Sequence, residues 1–379
     1  MRDRAISITA LALLAACNGQ SPAGAGGGGT GSLVVATSST GAGTIPTTYR
    51  ISVDHSTPVT IAASGTRTVT QLSAGSHSVQ LLGIPTNCTS DWYAPQPVTV
   101  VADSASAAAF AVECDVPIAN TLIAIGSPLG GPGDLYAIPL DGGTPHPLTQ
   151  GLLASVPAVS PGGTRIAFVT GFESNVQLVT MNTDGSRMIV LDSFGTLADT
   201  KKVSPTWAPD GTRLAYSTGS DVRIVTADGR ADSVVALGDS PAWSPDGSRL
   251  AIVAYGNIKV LDLTTGDAPA IRQATNGSQG FHPAWSPDGA TIAYVDFHTD
   301  GVDSLITSTA LVNADGSNDR DLARPAVVTV AWSSDGTRLA SEDDAHGPEH
   351  IYWMDLATRT RHDLANPPGV NLWGPSWAP

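Results

Sequence analysis

The chain has 379 residues, 41% of them hydrophobic and 14% charged, the balance of a folded globular protein. A formal net charge of −15 argues against nucleic acid or anionic lipid headgroups as partners, since both attract a basic face. Forty glycines, 27 prolines and nine Asp-Gly pairs describe many short strands joined by tight turns, and predict an all-β fold.

In chain order, Met1-Arg2-Asp3-Arg4 is a charged n-region and Ala5 to Ala16 a short apolar stretch. It is shorter than the ~20 residues a spanning helix needs, so residues 1–16 read as a secretory signal peptide. The segment ends Leu14-Ala15-Ala16-Cys17, which resembles the lipobox of bacterial lipoproteins. That resemblance implies cleavage before Cys17, acylation of its sulfur and new N-terminus, and a lipid anchor in the membrane. Several acyl chains at ~0.8 kcal/mol per buried CH₂ give stable anchoring. Asn18 after the cysteine implies, by the same analogy, the outer membrane. Residues 17–32 then form the lipidated cysteine and a flexible Gly-rich tether, GQSPAGAGGGGTGS, with a reach of roughly 20 Å.

Residues 33–116 hold seven alternating runs: 33–38, 49–53, 59–63, 68–72, 77–84, 98–102 and 107–114. Turn residues separate them, which predicts a small Ig-like β-sandwich. Gly75-Ser76-His77-Ser78-Val79 resembles the Gly-x-His-x-Val signature of PEGA-type surface modules, with His77 expected as an exposed strand residue. Of three cysteines, Cys17 is taken by lipid, leaving Cys88 and Cys114 for a disulfide inside the sandwich. Its closed loop contributes ~3–4 kcal/mol in the chain-entropy model.

Residues 117–379 are organised around Pro241-Ala242-Trp243-Ser244-Pro245-Asp246-Gly247-Ser248-Arg249-Leu250-Ala251-Ile252-Val253. Pro presets φ, Asp bonds its own turn, Gly accepts positive φ, and the flanking apolar alternation makes a hairpin. The pattern returns at 157–168, 205–216, 283–294 and 330–340, with a half copy at 375–379. Taking Val159, Trp207, Trp243, Trp285, Trp332 and Trp377 as the ruler, the spacings are 48, 36, 42, 47 and 45 residues. A period of ~40–50 residues with several strands per unit predicts a β-propeller. The first unit lacks its leading strand and the half copy is a leading strand alone. The two ends are therefore expected to complete one blade, giving a six-bladed propeller closed by its C-terminal strand. In the first copy Val159 replaces Trp and Gly162 replaces Asp, so a looser hairpin is expected there.

These repeats resemble the TolB-like propeller class (the WD40-like Trp-Ser-Pro-Asp-Gly repeat). The resemblance implies a non-catalytic cell-envelope protein, a monomer working through contacts with envelope proteins or with glycan. It also leaves open a channel-mouth glycan- or metal-binding protein or a propeller lyase-type enzyme. The repeated Trp and Asp residues are expected to be architecture. No cofactor and no metal site is implied. The residues just before each leading strand vary while the core repeats, so Lys202, Ser240, His282 and Trp373, with Ser155 and Val328, form the candidate binding rim. His346-Gly347-Pro348-Glu349-His350 matches a zinc-peptidase pattern, but Gly-Pro would break the helix that pattern needs. Asp296 to Asp303, with Glu342-Asp343-Asp344, faintly matches a calcium loop; solvated acidic loops are the expectation.

Overall fold

The computed structural model describes residues 29–92, 94–115, 117–128, 133–171, 175–194, 203–264, 270–273, 275, 279–299, 305–323, 329–343 and 350–378. Cys17, the signal segment and nearly all of the tether lie outside them. Among the described residues the strands gather into eight four-stranded sheets.

Two sheets come from residues 30–114. One orders Gly65–Ser73, Thr30–Thr40, Ala105–Cys114 and Cys88–Ser90; the other orders Val59–Ala62, Thr48–Val53, Gly75–Leu82 and Gln96–Val100. Both bury one face in a shared core that includes Leu33, Val35, Ile51, Val79 and Phe110. Period-two alternation makes this possible, since every second residue of Ala105–Cys114 from Ala108 onward is buried. Thr30–Thr40 and Ala105–Cys114 pair in parallel. Cys88–Ser90 is a strand the alternation did not reveal, because all three of its residues are buried. It sets Cys88 directly opposite Cys114, and the two form the disulfide.

His77 is a correction to the expectation of an exposed residue. It is 9% exposed, with Nδ1 2.5 Å from Asp54 Oδ2 and Nε2 2.7 Å from the Ser73 carbonyl oxygen. Two acceptors facing both ring nitrogens demand two N–H donors, so the imidazolium is favoured. The Ser73 carbonyl first, and then Asp54, hold its pKa above the ordinary 6.5.

The other six sheets come from residues 121–377. Sheet I spans 155–193, II 206–237, III 239–273, IV 279–323 and V 330–363, each with its four strands in chain order. Sheet VI takes Thr121–Pro128, Asp134–Pro139 and His146–Pro147 and receives Val370–Trp377 as its leading strand. Trp377 lies opposite Leu122, and Trp373 opposite Ile125. Leading strands contact the preceding sheet all the way round, and Val370–Trp377 contacts both sheet V and the leading strand of sheet I. The array of sheets therefore returns on itself.

The Trp-Ser-Pro-Asp-Gly hairpins show why their residues repeat. In sheet III the Ser244 hydroxyl and Ser248 N–H donate to Asp246 Oδ1 at 2.6 and 3.1 Å, and Arg249 N–H donates to Ser244 Oγ at 2.9 Å. Donation by Ser244 first, then by Ser248, lowers the Asp246 pKa to about 2. The same bonds lower Asp335 to about 2. Gly247 takes φ 70°, and an added Cβ would press on Pro209 of the preceding turn.

The first hairpin keeps the backbone bonds of the others and lacks only the Asp-centred bonds that Gly162 cannot make. Ser160 N–H donates to Arg165 O at 2.9 Å and Gly163 N–H to Ser160 O at 2.8 Å, matching sheet III. Its departure from the repeat has an external cause: a Cβ at Gly162 would collide with the Thr86 carbonyl of the N-terminal unit. That unit docks on the turn end of sheets I and II. Arg187 Nη1 meets Glu113 Oε2 and Thr89 Oγ1, both at 2.9 Å. The Arg230 guanidinium sits 3.5 Å from the Trp92 ring centroid, and Ile84 packs into the core between sheets I and II.

Two outcomes follow. Gly162→Asp, which restores the repeat, is expected to destabilise the chain by about 1–3 kcal/mol through overpacking against Thr86, read by thermal unfolding, and to speed proteolysis at 84–92. The second concerns pH. A raised folded-state pKa at His77 means its contribution is complete below pH 6.5 and is lost as pH rises through the raised value. The melting temperature should therefore fall between pH 6 and 9, and the part of that fall due to His77 should vanish in His77→Gln.

Candidate binding site at the channel mouth

A cavity of about 290 Å³ opens where the leading strands of all six sheets converge. Its wall takes Val156, Ser204, Ser240, His282 and Thr329, with Pro375 and Ser376 from the C-terminal strand. These elements arrive there because of a bulge that recurs in the leading strands. In sheet I, Ser155 pairs with Val169 and Ala158 with Ala167, so one extra residue is extruded. Shifts of the same kind fall between Asp239 and Ala242, Phe281 and Ala284, and Trp373 and Ser376. Each contains a proline, at 157, 241, 283 and 375, whose missing N–H cannot serve the ladder.

The extruded residue sits in the left-handed region: Val156, Ser240 and His282 each at φ 48°, and Gly374 at 62°. Glycine is the residue suited to that backbone, and a β-branched residue there is an outlier. Three of these four bulges nevertheless carry a side chain.

The structure brings Ser240 and His282 together on this wall and does not add Trp373 to it. Trp373 occupies the paired position before the bulge, opposite Ile125. Lys202 and Val328 lie outside the described residues. The aligned ring, three residues before each ruler position, is 156, 204, 240, 282, 329 and 374; the sequence reading mixed three registers. Counting back a fixed three from the ruler would have found it.

Glu342 is the residue sequence reasoning placed wrongly. It is 3% exposed rather than solvated, three residues past Leu339, where sheets I, III and IV carry Val169, Val253 and Val295. Its Oε2 accepts the Gly374 N–H at 2.5 Å, so a buried carboxylate braces the closing bulge. Asp296 is also buried, at 7%. Residues 300–303 and 344–349 lie outside the described residues, and His350 stands in the strand His350–Asp355, 3.4 Å from Asp363. Among the described residues no three His, Cys, Asp or Glu side chains converge as a metal would require.

The bulge geometry sets an expected outcome. Ser240→Gly and His282→Gly should leave stability unchanged or raise it by up to about 1 kcal/mol each. Left-handed strain of roughly 1–2 kcal/mol is relieved, against glycine's extra entropy loss of about 0.5–1 kcal/mol. Chemical denaturation of the full chain measures this.

No protein-family model matches the chain, and no curated relative matches it. Among solved structures, TolB from Acinetobacter baumannii is similar with a TM-score of 0.59 at 17% identity, over 69% of this chain and 67% of that one. A chain of a nidogen/laminin complex is similar at 0.50 and 13% identity, over 68% and 97%. An oligogalacturonate lyase in complex with manganese scores 0.44 at 16% identity, over 65% and 74%. The fold is that of a TolB-like β-propeller.

Proposed function

We propose that this chain is a non-catalytic, lipid-anchored protein of the bacterial cell envelope whose six-bladed propeller binds a protein partner at its channel mouth. The observation that carries the reading is the retention of Val156, Ser240 and His282 at left-handed positions better suited to glycine. Left-handed side-chain residues also occur in turns and connecting segments, at Leu153, Arg187, Tyr255, Asn318 and Arg359. At the mouth, however, the conformation recurs at the same bulge of three sheets, beside a cavity, which supports a binding role there.

The layout supports an outward-facing mouth. Thr30–Thr40 and Ala105–Cys114 run in parallel, with Ser32 paired to Ala105 at one end and Thr40 to Glu113 at the other. Glu113 is at the end that docks on the propeller turns, so the tether joins the opposite end. Eleven extended residues separate the two ends by about 35 Å. The mouth lies at the start of the leading strands, away from the turns on which this unit docks. From Cys17 outward the order is lipid, tether, sandwich, propeller, mouth.

The test is crosslinked pulldown from detergent-solubilised membranes followed by mass spectrometry. One dominant envelope protein should be captured, and the Ser240→Gly/His282→Gly double variant should lose it while remaining folded. Cys17→Ala should lose incorporation of labelled palmitate and leave the membrane fraction. Equal capture by the double variant would overturn the mouth as the binding site. No capture, with retention of a polysaccharide, would replace the protein partner by glycan.

A further inference from the structure

A second cavity, of about 340 Å³, opens between sheets IV and V on the turn end of the propeller. Two sheets lack an arginine that the others share: sheet VI, whose second strand begins with Thr121 and whose following sheet has Val159 in place of Trp, and sheet IV, whose following sheet keeps its Trp. The second strands of sheets I, II, III and V begin with Arg165, Arg213, Arg249 and Arg338, whereas that of sheet IV begins with Thr291. In three sheets that arginine covers the Trp of the next sheet. The guanidinium carbon lies 4.4 Å from the Trp207 ring centroid for Arg165, 5.1 Å from Trp243 for Arg213, and 4.7 Å from Trp285 for Arg249.

The covered tryptophans are 6–7% exposed; Trp332, next to Thr291, is half-buried, as is Trp377, since Arg338 lies over Trp353 of its own sheet instead. The remaining contacts of the internal guanidinium have counterparts in the cavity wall. Arg165 Nη2 donates to the carbonyl oxygen of Gly211, the next turn's glycine, at 2.6 Å; Gly336 is its equivalent and lines the cavity. Arg213 Nη2 lies 3.3 Å from Asp210 of its own turn; Asp288 is the equivalent carboxylate and also lines the cavity.

We infer that this cleft is a guanidinium slot that receives an arginine side chain of a protein partner in the place the repeat's own arginine vacates. Trp332 supplies the ring face, Asp288 the carboxylate and Gly336 the carbonyl oxygen. Arginine fits better than lysine because its planar guanidinium stacks and donates in two directions at once. Arg320 and Arg359, both exposed, stand at the rim. They select an arginine carried on an acidic segment, since they repel further cations and pair with neighbouring carboxylates. The slot rests on the reading of the propeller as an interaction module, but is tested separately from the mouth.

The test titrates the full chain with the capped peptide acetyl-Glu-Arg-Glu-amide, followed by tryptophan fluorescence and calorimetry. The glutamine peptide acetyl-Glu-Gln-Glu-amide and the variant Thr291→Arg are the comparisons. Thr291→Arg restores the repeat in cis, so its melting temperature should be unchanged or higher while peptide affinity falls at least tenfold. The glutamine peptide should bind at least tenfold more weakly than the arginine peptide. Equal binding by the two peptides, undiminished binding to Thr291→Arg, or no binding at millimolar peptide would each overturn the slot. Capture by the Ser240→Gly/His282→Gly variant reads the mouth alone, so either site can fail without the other.

Discussion

The propeller depends on one contact made at five of its six junctions, Val159 standing in at the sixth: the tryptophan closing a leading strand packs against the sheet before it. Trp207 Nε1 donates to Ala158 O at 3.0 Å, Trp332 to Ala284 O at 3.1 Å and Trp377 to Ala331 O at 2.9 Å. Magnitudes say which part of the contact matters. Burying an indole removes 150–250 Å² from water, roughly 4–6 kcal/mol at 25 cal/mol per Å², against about 1 kcal/mol for the hydrogen bond. Trp243 and Trp285 bear this out. Their Nε1 groups meet no acceptor among the described residues, yet both are 7% exposed and packed in place. Burial holds the sheets together, and the bond, where present, sets the angle of the ring.

Against so regular a frame, each departure marks something outside the repeat. Gly162 lacks the Asp because the N-terminal unit occupies the space its side chain would need. Glu342 replaces a valine because the closing bulge at Gly374 presents its N–H there. The buried carboxylate is tolerable because a backbone donor meets it. Thr291 withdraws a side chain, and the hole it leaves has the shape and chemistry of what was withdrawn. In each case a single residue type shows whether the neighbouring matter adds to, fills or vacates the standard interface.

The elements that repeat were legible in the sequence. The hairpin repeats read at 157–168, 205–216, 241–253, 283–294 and 330–340 each supply the first two strands of one sheet, because period and turn chemistry agree there. The disulfide partners followed from cysteine arithmetic. What could not be read was anything set by two distant segments at once. Cys88–Ser90 is too short and too uniformly buried to alternate. His77 reads as a polar residue on an exposed face until Asp54 and Ser73 are seen around it. The rim was half found: variability pointed at the right end of the strands, but extended-strand counting has no place for an extruded residue, so Trp373 displaced Gly374.

That half-success says what kind of information a repeat carries. Its constant positions report the contacts every unit makes with its neighbours and therefore specify the fold. Its variable positions are ambiguous, because a residue varies both where nothing constrains it and where something particular does. Backbone strain separates the two. Glycine carries the least penalty at a left-handed bulge, so valine, serine or histidine there costs strain that glycine would avoid. Gly374 is the internal comparison. At the closing strand the bulge is braced by Glu342 and the position is glycine, while sheets I, III and IV keep their side chains at the same turn of the chain. At the four bulges the backbone repeats while the residue does not, so what the extruded position carries differs from sheet to sheet although the frame around it is the same.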